Sequence, residues 1–250
     1  MSVRAVLFDL FDTLVDLRLE GLPQVEFNGR SYRATYMRLH DAIVQRAEVD
    51  FERFAQELAR VDREILDDYW AKGRELPTRA RFEALIEALG LDAPDLPDVL
   101  TEVHMSTLRG QAAFVEHHPE VLARIGRRAR LGLVSNFSHS PTALALLEQA
   151  GLREHFDAVV ISDRVGFRKP RPEIFREALR ELGVEPEETL HVGDSLVADV
   201  QGAAALGIRP VWLTRRVADP EAALESHTGL PPHWILRDLR ELEDRLREAD

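Results

Sequence analysis

Three aspartates sit where short apolar runs stop. Asp9 follows the run Val3–Phe8, Asp194 follows Leu190–Val192, and Asp199 comes about one helical turn after Asp194. Ser135 with Asn136, Ser162 with Asp163, and Thr214 occupy the same place after three other runs. Lys169 lies in the loop after Asp163, just before Pro170 and a helix start at Pro172. The chain has no cysteine, which excludes thiolate nucleophiles, thiolate metal sites and disulfides. Two or three carboxylates without histidine or cysteine suit a hard, oxygen-seeking cation, and Mg²⁺ fits best. A lysine beside them would neutralise the carboxylates and any phosphoryl oxygens. Lys72 and Lys169 are the only lysines in a chain whose other basic side chains are arginines, so each has escaped a strong compositional bias.

The elements that must position these residues can be read from periodicity. Val3–Phe8 reads as a buried strand. Later strands are expected at Leu131–Val134, Ala158–Ile161, Leu190–Val192, Pro210–Leu213 and Trp234–Leu236. Helices are expected between and after them, at Pro141–Gln149, Pro172–Leu182, Val197–Leu206, Glu221–Ser226 and Leu239–Leu246. This alternation predicts an α/β fold, a doubly wound parallel sheet with helices on both faces. In such a sheet ligands bind outside the carboxyl ends of the strands, which is where the polar residues above fall. Before that alternation begins, the chain is mostly helical. Phe51, Phe54, Leu58, Val61 and Ile65 share one helical face behind the capping candidate Asp50. A second helix runs from Thr78 to Leu89, and a third starts at Pro97. Asn28-Gly29 between alternating residues predicts a hairpin over residues 25–35. The simplest organisation is a core of residues 1–15 and 110–250, with residues 16–109 as a helical insertion.

Four segments carry a family resemblance. Phe8-Asp9-Leu10-Phe11-Asp12-Thr13-Leu14, Leu133-Val134-Ser135-Asn136, Phe167-Arg168-Lys169-Pro170 through Phe175, and His191-Val192-Gly193-Asp194-Ser195 with Asp199 and Gly202-Ala203 resemble, in order, the four motifs of the haloacid dehalogenase-like hydrolase superfamily. The insertion resembles that superfamily's helical cap of the first type. The resemblance implies a Rossmann-like core and a phosphatase that forms a phosphoaspartyl intermediate on Asp9. It implies that Ser135 hydrogen-bonds a phosphoryl oxygen, that Asn136 contributes to substrate binding, and that Lys169 steadies Asp9 and the phosphoryl group. It implies a Mg²⁺ site made by Asp9, the backbone carbonyl of Phe11, Asp194 and Asp199. A small phosphorylated metabolite is the expected substrate.

One position departs from that pattern. Superfamily phosphatases usually carry an acid–base aspartate two residues after the nucleophile, and Phe11 stands there. An aromatic residue at this place resembles the superfamily's 2-haloacid dehalogenases, which need no metal, so dehalogenation is the alternative expectation. A weakly active binding protein is the third. Lys72, His104 and His139 are further candidates: Lys72 as a Schiff-base lysine, the histidines as proton donors. Surface or structural roles compete with each.

Composition narrows the partners. The 250 residues are 45% hydrophobic and carry a formal net charge of −12. Such an acidic chain repels nucleic acid and anionic lipid. No apolar run is long enough to cross a bilayer, and no basic, apolar leader opens the chain. With no cysteine, the expected compartment is the cytoplasm.

Overall fold

The computed structural model describes residues 3–248. Among them, six strands form one parallel sheet: β1 (Ala5–Phe8), β2 (Arg130–Ser135), β3 (Ala158–Ile161), β4 (Thr189–Gly193), β5 (Arg209–Leu213) and β6 (Trp234–Leu236). Their spatial order is β6-β5-β4-β1-β2-β3. The chain therefore winds outward from β1 in one direction, crosses back, and winds outward in the other. Helices flank the sheet, and the expected doubly wound α/β fold is what the chain adopts.

The strands form where the sequence offers unbroken apolar runs. All of β1 and β4 is buried, as strands covered on both faces require. On one face the helix Pro172–Leu182 lays Ile174, Phe175 and Ala178 against Ala5, Leu7 and Val134. Pro172 starts that helix, and Gly183 ends it in the left-handed conformation at φ 62°. Register then levels the strand ends. Phe8 pairs with Leu133 of β2 on one side and Val192 of β4 on the other. The residues that follow these three strands consequently emerge at one edge of the sheet, at the point where strand order reverses.

The chain divides into two compact units, one reaching to Asp16 and resuming at Ala113, the other spanning Leu17–Ala112. The second contains four helices, Ala34–Val44, Phe51–Asp68, Thr78–Ala88 and Leu96–Arg109. Their apolar faces meet in a core that includes Leu39, Phe54, Leu58, Phe82, Leu85 and Leu100. Asp50 caps the second of them, accepting from the backbone N–H groups of Glu52 and Arg53. The hairpin is present as Gln24–Phe27 paired with Arg30–Arg33, turning through Asn28 and Gly29 at φ 47° and 73°.

Two expectations change. The helices Ala34–Val44 and His118–Ile125 were not foreseen. The segment after Asp194, expected as one α-helix over Val197–Leu206, is instead π-helical over Leu196–Gln201, with an α turn at Gly202–Ala204. Its cause is local: the N–H groups of Asp199 and Val200 both donate to the Ser195 carbonyl, while Ser195 Oγ accepts from Ala198 N–H. Such π turns occur often at functional sites.

Candidate active site

Asp9 leaves β1 with its N–H donating to the Val192 carbonyl at 2.9 Å, so the two neighbouring strands fix where its side chain starts. Lys169 Nζ donates to Asp9 Oδ1 at 2.6 Å and to Asp199 Oδ1 at 2.7 Å. The lysine is 4% exposed and Asp199 1%. This is a buried charge cluster, and such charges are tolerated only when paired and hydrogen-bonded. Asp199 is held further: Oδ1 also takes a hydrogen bond from His191 Nε2 at 2.9 Å, and Oδ2 accepts from Ser195 N–H at 3.0 Å. Asp194 completes the group, its backbone carbonyl accepting from Trp212 Nε1 at 2.7 Å. Asp9, Asp194 and Asp199 each offer an oxygen within 4.8 Å of the others.

Two carboxylates hold one ammonium and a third lies close to both, and the electrostatics reflect the imbalance. Burial pushes the Asp9 carboxyl up to about 6, with Lys169 opposing and Asp199 adding to the rise. Burial and the Asp9 and Asp199 charges push Asp194 up to about 7. Asp199 goes the other way: burial opposes its charge, but Lys169 and His191 hold it below the usual carboxylate range. Burial also opposes the Lys169 charge, and the two aspartates outweigh it, so the ammonium is held above its ordinary value.

Two glycines make the cluster possible. A Cβ on Gly193 would overlap the Asp199 carboxyl group, and one on Gly202 would come within 2.9 Å of Pro170 Cα. The first lets Asp199 close against the end of β4. The second lets the π-helical segment close against the Lys169 loop.

Asn136 braces the lysine loop. Its Oδ1 accepts from Lys169 N–H at 2.7 Å and its Nδ2 donates to the Lys169 carbonyl at 3.0 Å. Both ends of the amide therefore hold the lysine's backbone. Ser135 Oγ is buried at the end of β2 and makes no hydrogen bond among the described residues. Phe11 lies in a loop closed by Leu14 and Val15 N–H groups donating to Leu10, and by Asp12 N–H donating to Val15. The Phe11 ring packs edge-on against Phe137, centroids 4.8 Å apart.

The other strand-end polar residues are structural. Ser162 Oγ accepts from Phe137 N–H, Asp163 accepts from Ser140 N–H, and Thr214 Oγ1 donates to the Leu236 carbonyl. Lys72 is exposed and paired with Asp68. His139 Nδ1 lies 3.0 Å from Thr142 Oγ1, and His104 packs against Phe82. Sequence reasoning missed Arg215 and Arg216. Arg215 holds Asp16 through both guanidinium Nη atoms, and Arg216 Nε donates to Asp12 at 3.2 Å, so two successive arginines grip the loop after Asp9. Two successive arginines just past β5 are visible in the sequence, but nothing local names their partners.

Residues 3–207 match the family described as haloacid dehalogenase-like hydrolase. The chain is 38% identical over 182 residues to a phosphoserine phosphatase of Thermus thermophilus, covering 66% of this chain and 64% of that one. It is 29% identical over 250 residues to a glyceraldehyde 3-phosphate phosphatase of Methanopyrus kandleri, covering 98% of both. In fold it is similar to the crystal structure of a 2-haloacid dehalogenase from Pseudomonas syringae pv. Tomato, with a TM-score of 0.72, 23% identity, and coverage of 99% of this chain and 100% of that one.

Proposed function

This chain belongs to the haloacid dehalogenase-like hydrolase family, and from that premise we propose that it is a Mg²⁺-dependent phosphatase of a small phosphorylated metabolite, with Asp9 as nucleophile. The observation that carries the reading is the cluster in which Lys169 bridges Asp9 and Asp199 while Asp194 faces the same point. A carboxylate oxygen of Asp9 attacks phosphorus, the bond from phosphorus to the leaving oxygen breaks, and an acyl phosphate forms. Water then attacks that phosphorus, releasing inorganic phosphate and restoring the Asp9 carboxylate. Lys169 keeps the Asp9 oxygen oriented and balances charge on the transferred group. Ser135 Oγ is the donor available for a phosphoryl oxygen. Asn136 fixes the lysine loop through its two backbone hydrogen bonds.

The residues fit Mg²⁺. The donors are oxygens only, as a hard cation prefers. With all three carboxyls ionised, the one ammonium leaves two negative charges, which one divalent cation would balance. Asp9 and Asp194 would hold it with the Phe11 carbonyl. Asp199 Oδ1 already accepts two hydrogen bonds and Oδ2 one, so its contribution is the smaller. When bound, the ion supplies charge stabilisation for the phosphoryl oxygens. The relatives named as phosphatases of phosphoserine and glyceraldehyde 3-phosphate support a small metabolite. The net charge of −12 argues against nucleic acid, and no helix among the described residues is long and apolar enough to cross a membrane.

The test is turnover of p-nitrophenyl phosphate across a Mg²⁺ titration, with Asp194→Asn beside the wild type. We expect no turnover in excess chelator, and a Mg²⁺ requirement raised at least about tenfold by Asp194→Asn. Phe11 favours one competing reading, 2-haloacid dehalogenation. Turnover of 2-chloropropionate in excess chelator would establish that reading and remove the phosphatase one.

Phe11 also predicts a substrate preference. It cannot protonate a leaving oxygen, and acid–base help of that kind is worth typically ~10²–10⁴-fold. Expulsion then depends on the leaving group's own acidity, which favours acyl, anhydride and aryl phosphates over alkyl esters. Phe11→Asp is expected to raise kcat/KM on an alkyl phosphate more than on an aryl one. A wild-type enzyme equally efficient on both would show that another group donates the proton, with Asp12 the nearest in sequence.

A further inference from the structure

His191 occupies the middle of β4, fully buried, between Leu190 and Val192. Its ring meets Phe175 edge-on at 5.0 Å. One nitrogen, Nδ1, is buried and makes no hydrogen bond among the described residues. An unsatisfied buried polar atom destabilises the fold. A leucine here would fill the same apolar space without that penalty. The imidazole's one hydrogen bond among these residues is the 2.9 Å contact of Nε2 with Asp199 Oδ1. Whatever this histidine contributes passes through Asp199.

Asp199 lies between His191 and the reacting group. Its Oδ1 takes hydrogen bonds from both His191 Nε2 and Lys169 Nζ, and its Oδ2 takes one from Ser195 N–H. Three donors in different directions fix the carboxylate plane, which would otherwise turn within a broad torsional well. The fixed plane sets the point at which Lys169 Nζ rests, 2.7 Å from Asp199 and 2.6 Å from Asp9. Without His191, Asp199 Oδ1 keeps only the mobile end of a lysine side chain as partner. The carboxylate can then rotate about its Ser195 anchor and draw the ammonium away from Asp9.

We propose that His191 is a positioning residue of the active site: it locks the Asp199 carboxylate and thereby holds Lys169 against Asp9. The geometric part stands on this chain's contacts alone. Its consequence for rate rests on the phosphatase reading above.

The test compares His191→Leu, which keeps the volume and removes the donor, with His191→Gln, whose amide N–H can reach toward Asp199. Crystal structures of both, together with kcat and KM for p-nitrophenyl phosphate at saturating Mg²⁺, give independent arms. In His191→Leu the Asp199 carboxylate should be rotated and its hydrogen bond to Lys169 lost. Its kcat should fall roughly 10- to 100-fold with KM changed less than about twofold, because a displaced group fails at the reaction rather than at binding. His191→Gln should recover most of that loss. If Asp199 and Lys169 keep their places in His191→Leu, or if kcat is unchanged despite their movement, the proposal is overturned. Equal losses in both variants, following a common fall in thermal stability, overturn it too, since they report packing alone. Should His191→Leu not fold, His191→Met carries the same comparison. A wild type inactive on phosphate esters removes the phosphatase reading, while the crystal structures still decide whether His191 holds Asp199.

Discussion

Asp9→Asn should lose at least roughly 10⁴-fold in kcat while folding normally, since removing the nucleophile of a covalent mechanism removes nearly all of its chemistry. A carboxamide has the same shape as the carboxylate and can still accept from Lys169 Nζ, which now sits 2.6 Å from Oδ1. The substitution also removes a charge that burial disfavours, as its pKa of about 6 records. Thermal stability is therefore expected to hold or rise. This pairing of lost turnover with retained stability separates a chemical role from a structural one. An Asp9→Asn protein that turns over at the wild-type rate would leave no covalent mechanism to defend.

Lys169→Met should fail in both respects. Its Nζ is the only cation paired with Asp9 or Asp199 among the described side chains, and the lysine is buried. Removing one member of a buried ion pair typically destabilises by about 3–5 kcal/mol, because the remaining charges stay buried without compensation. Here two carboxylates lose their partner and repel each other. Turnover should fall roughly 10³-fold or more, the scale seen when a donor stabilising developing charge is removed. Lys169→Arg should not rescue it, since a planar guanidinium cannot occupy the point shared by the two aspartates as a compact ammonium does. Urea denaturation and p-nitrophenyl phosphate turnover measure the two effects. A Lys169→Met protein of wild-type stability would mean that the cluster is neutralised by some other group.

Much of this site could be read before any coordinates, for a physical reason. In a parallel sheet the catalytic groups stand just past the strand ends, so a polar residue directly after an apolar run marks both the strand and the site. Asp9, Ser135 and Asp194 stand out that way, Lys169 by its place in the loop after Asp163, and the structure puts the lysine 2.6 Å from Asp9. Residues that act on other residues left no such mark. A histidine inside a strand, such as His191, looks like core until its hydrogen bond to Asp199 is seen. Asn136 follows Ser135 at a strand end and so reads as facing substrate, and only the structure reveals that its amide grips the Lys169 backbone.

The fold shows the same division. Val197, Val200, Ala203 and Ala204 have spacing compatible with an α-helix, and nothing in their types reveals the π turn. That turn depends on two N–H groups sharing the Ser195 carbonyl. The helix Ala34–Val44 was hidden because the hairpin was expected to run through Thr35, one residue into it. His118, Val121, Leu122 and Ile125 do carry helical spacing and are all buried. That helix is only 8 residues long and no side chain caps it, yet Pro119 and Glu120 in its first turn and Gly126 at its end are start and stop signals. Arg215 and Arg216 hold Asp16 and Asp12 from far along the chain, a pairing that no local pattern encodes.

The central claim is that phosphate is transferred to Asp9 itself, and chemical trapping tests it most directly. Enzyme quenched during steady turnover of an aryl phosphate with Mg²⁺ is treated with borohydride, which reduces an acyl phosphate to an alcohol, and residue 9 is then identified by mass spectrometry. Because Phe11 leaves no acid–base group at its position to speed hydrolysis, the intermediate should accumulate. Residue 9 should appear as homoserine in the wild type, and Asp9→Asn should show no such conversion. Unmodified Asp9 in wild-type enzyme quenched while phosphate is being released would contradict the account.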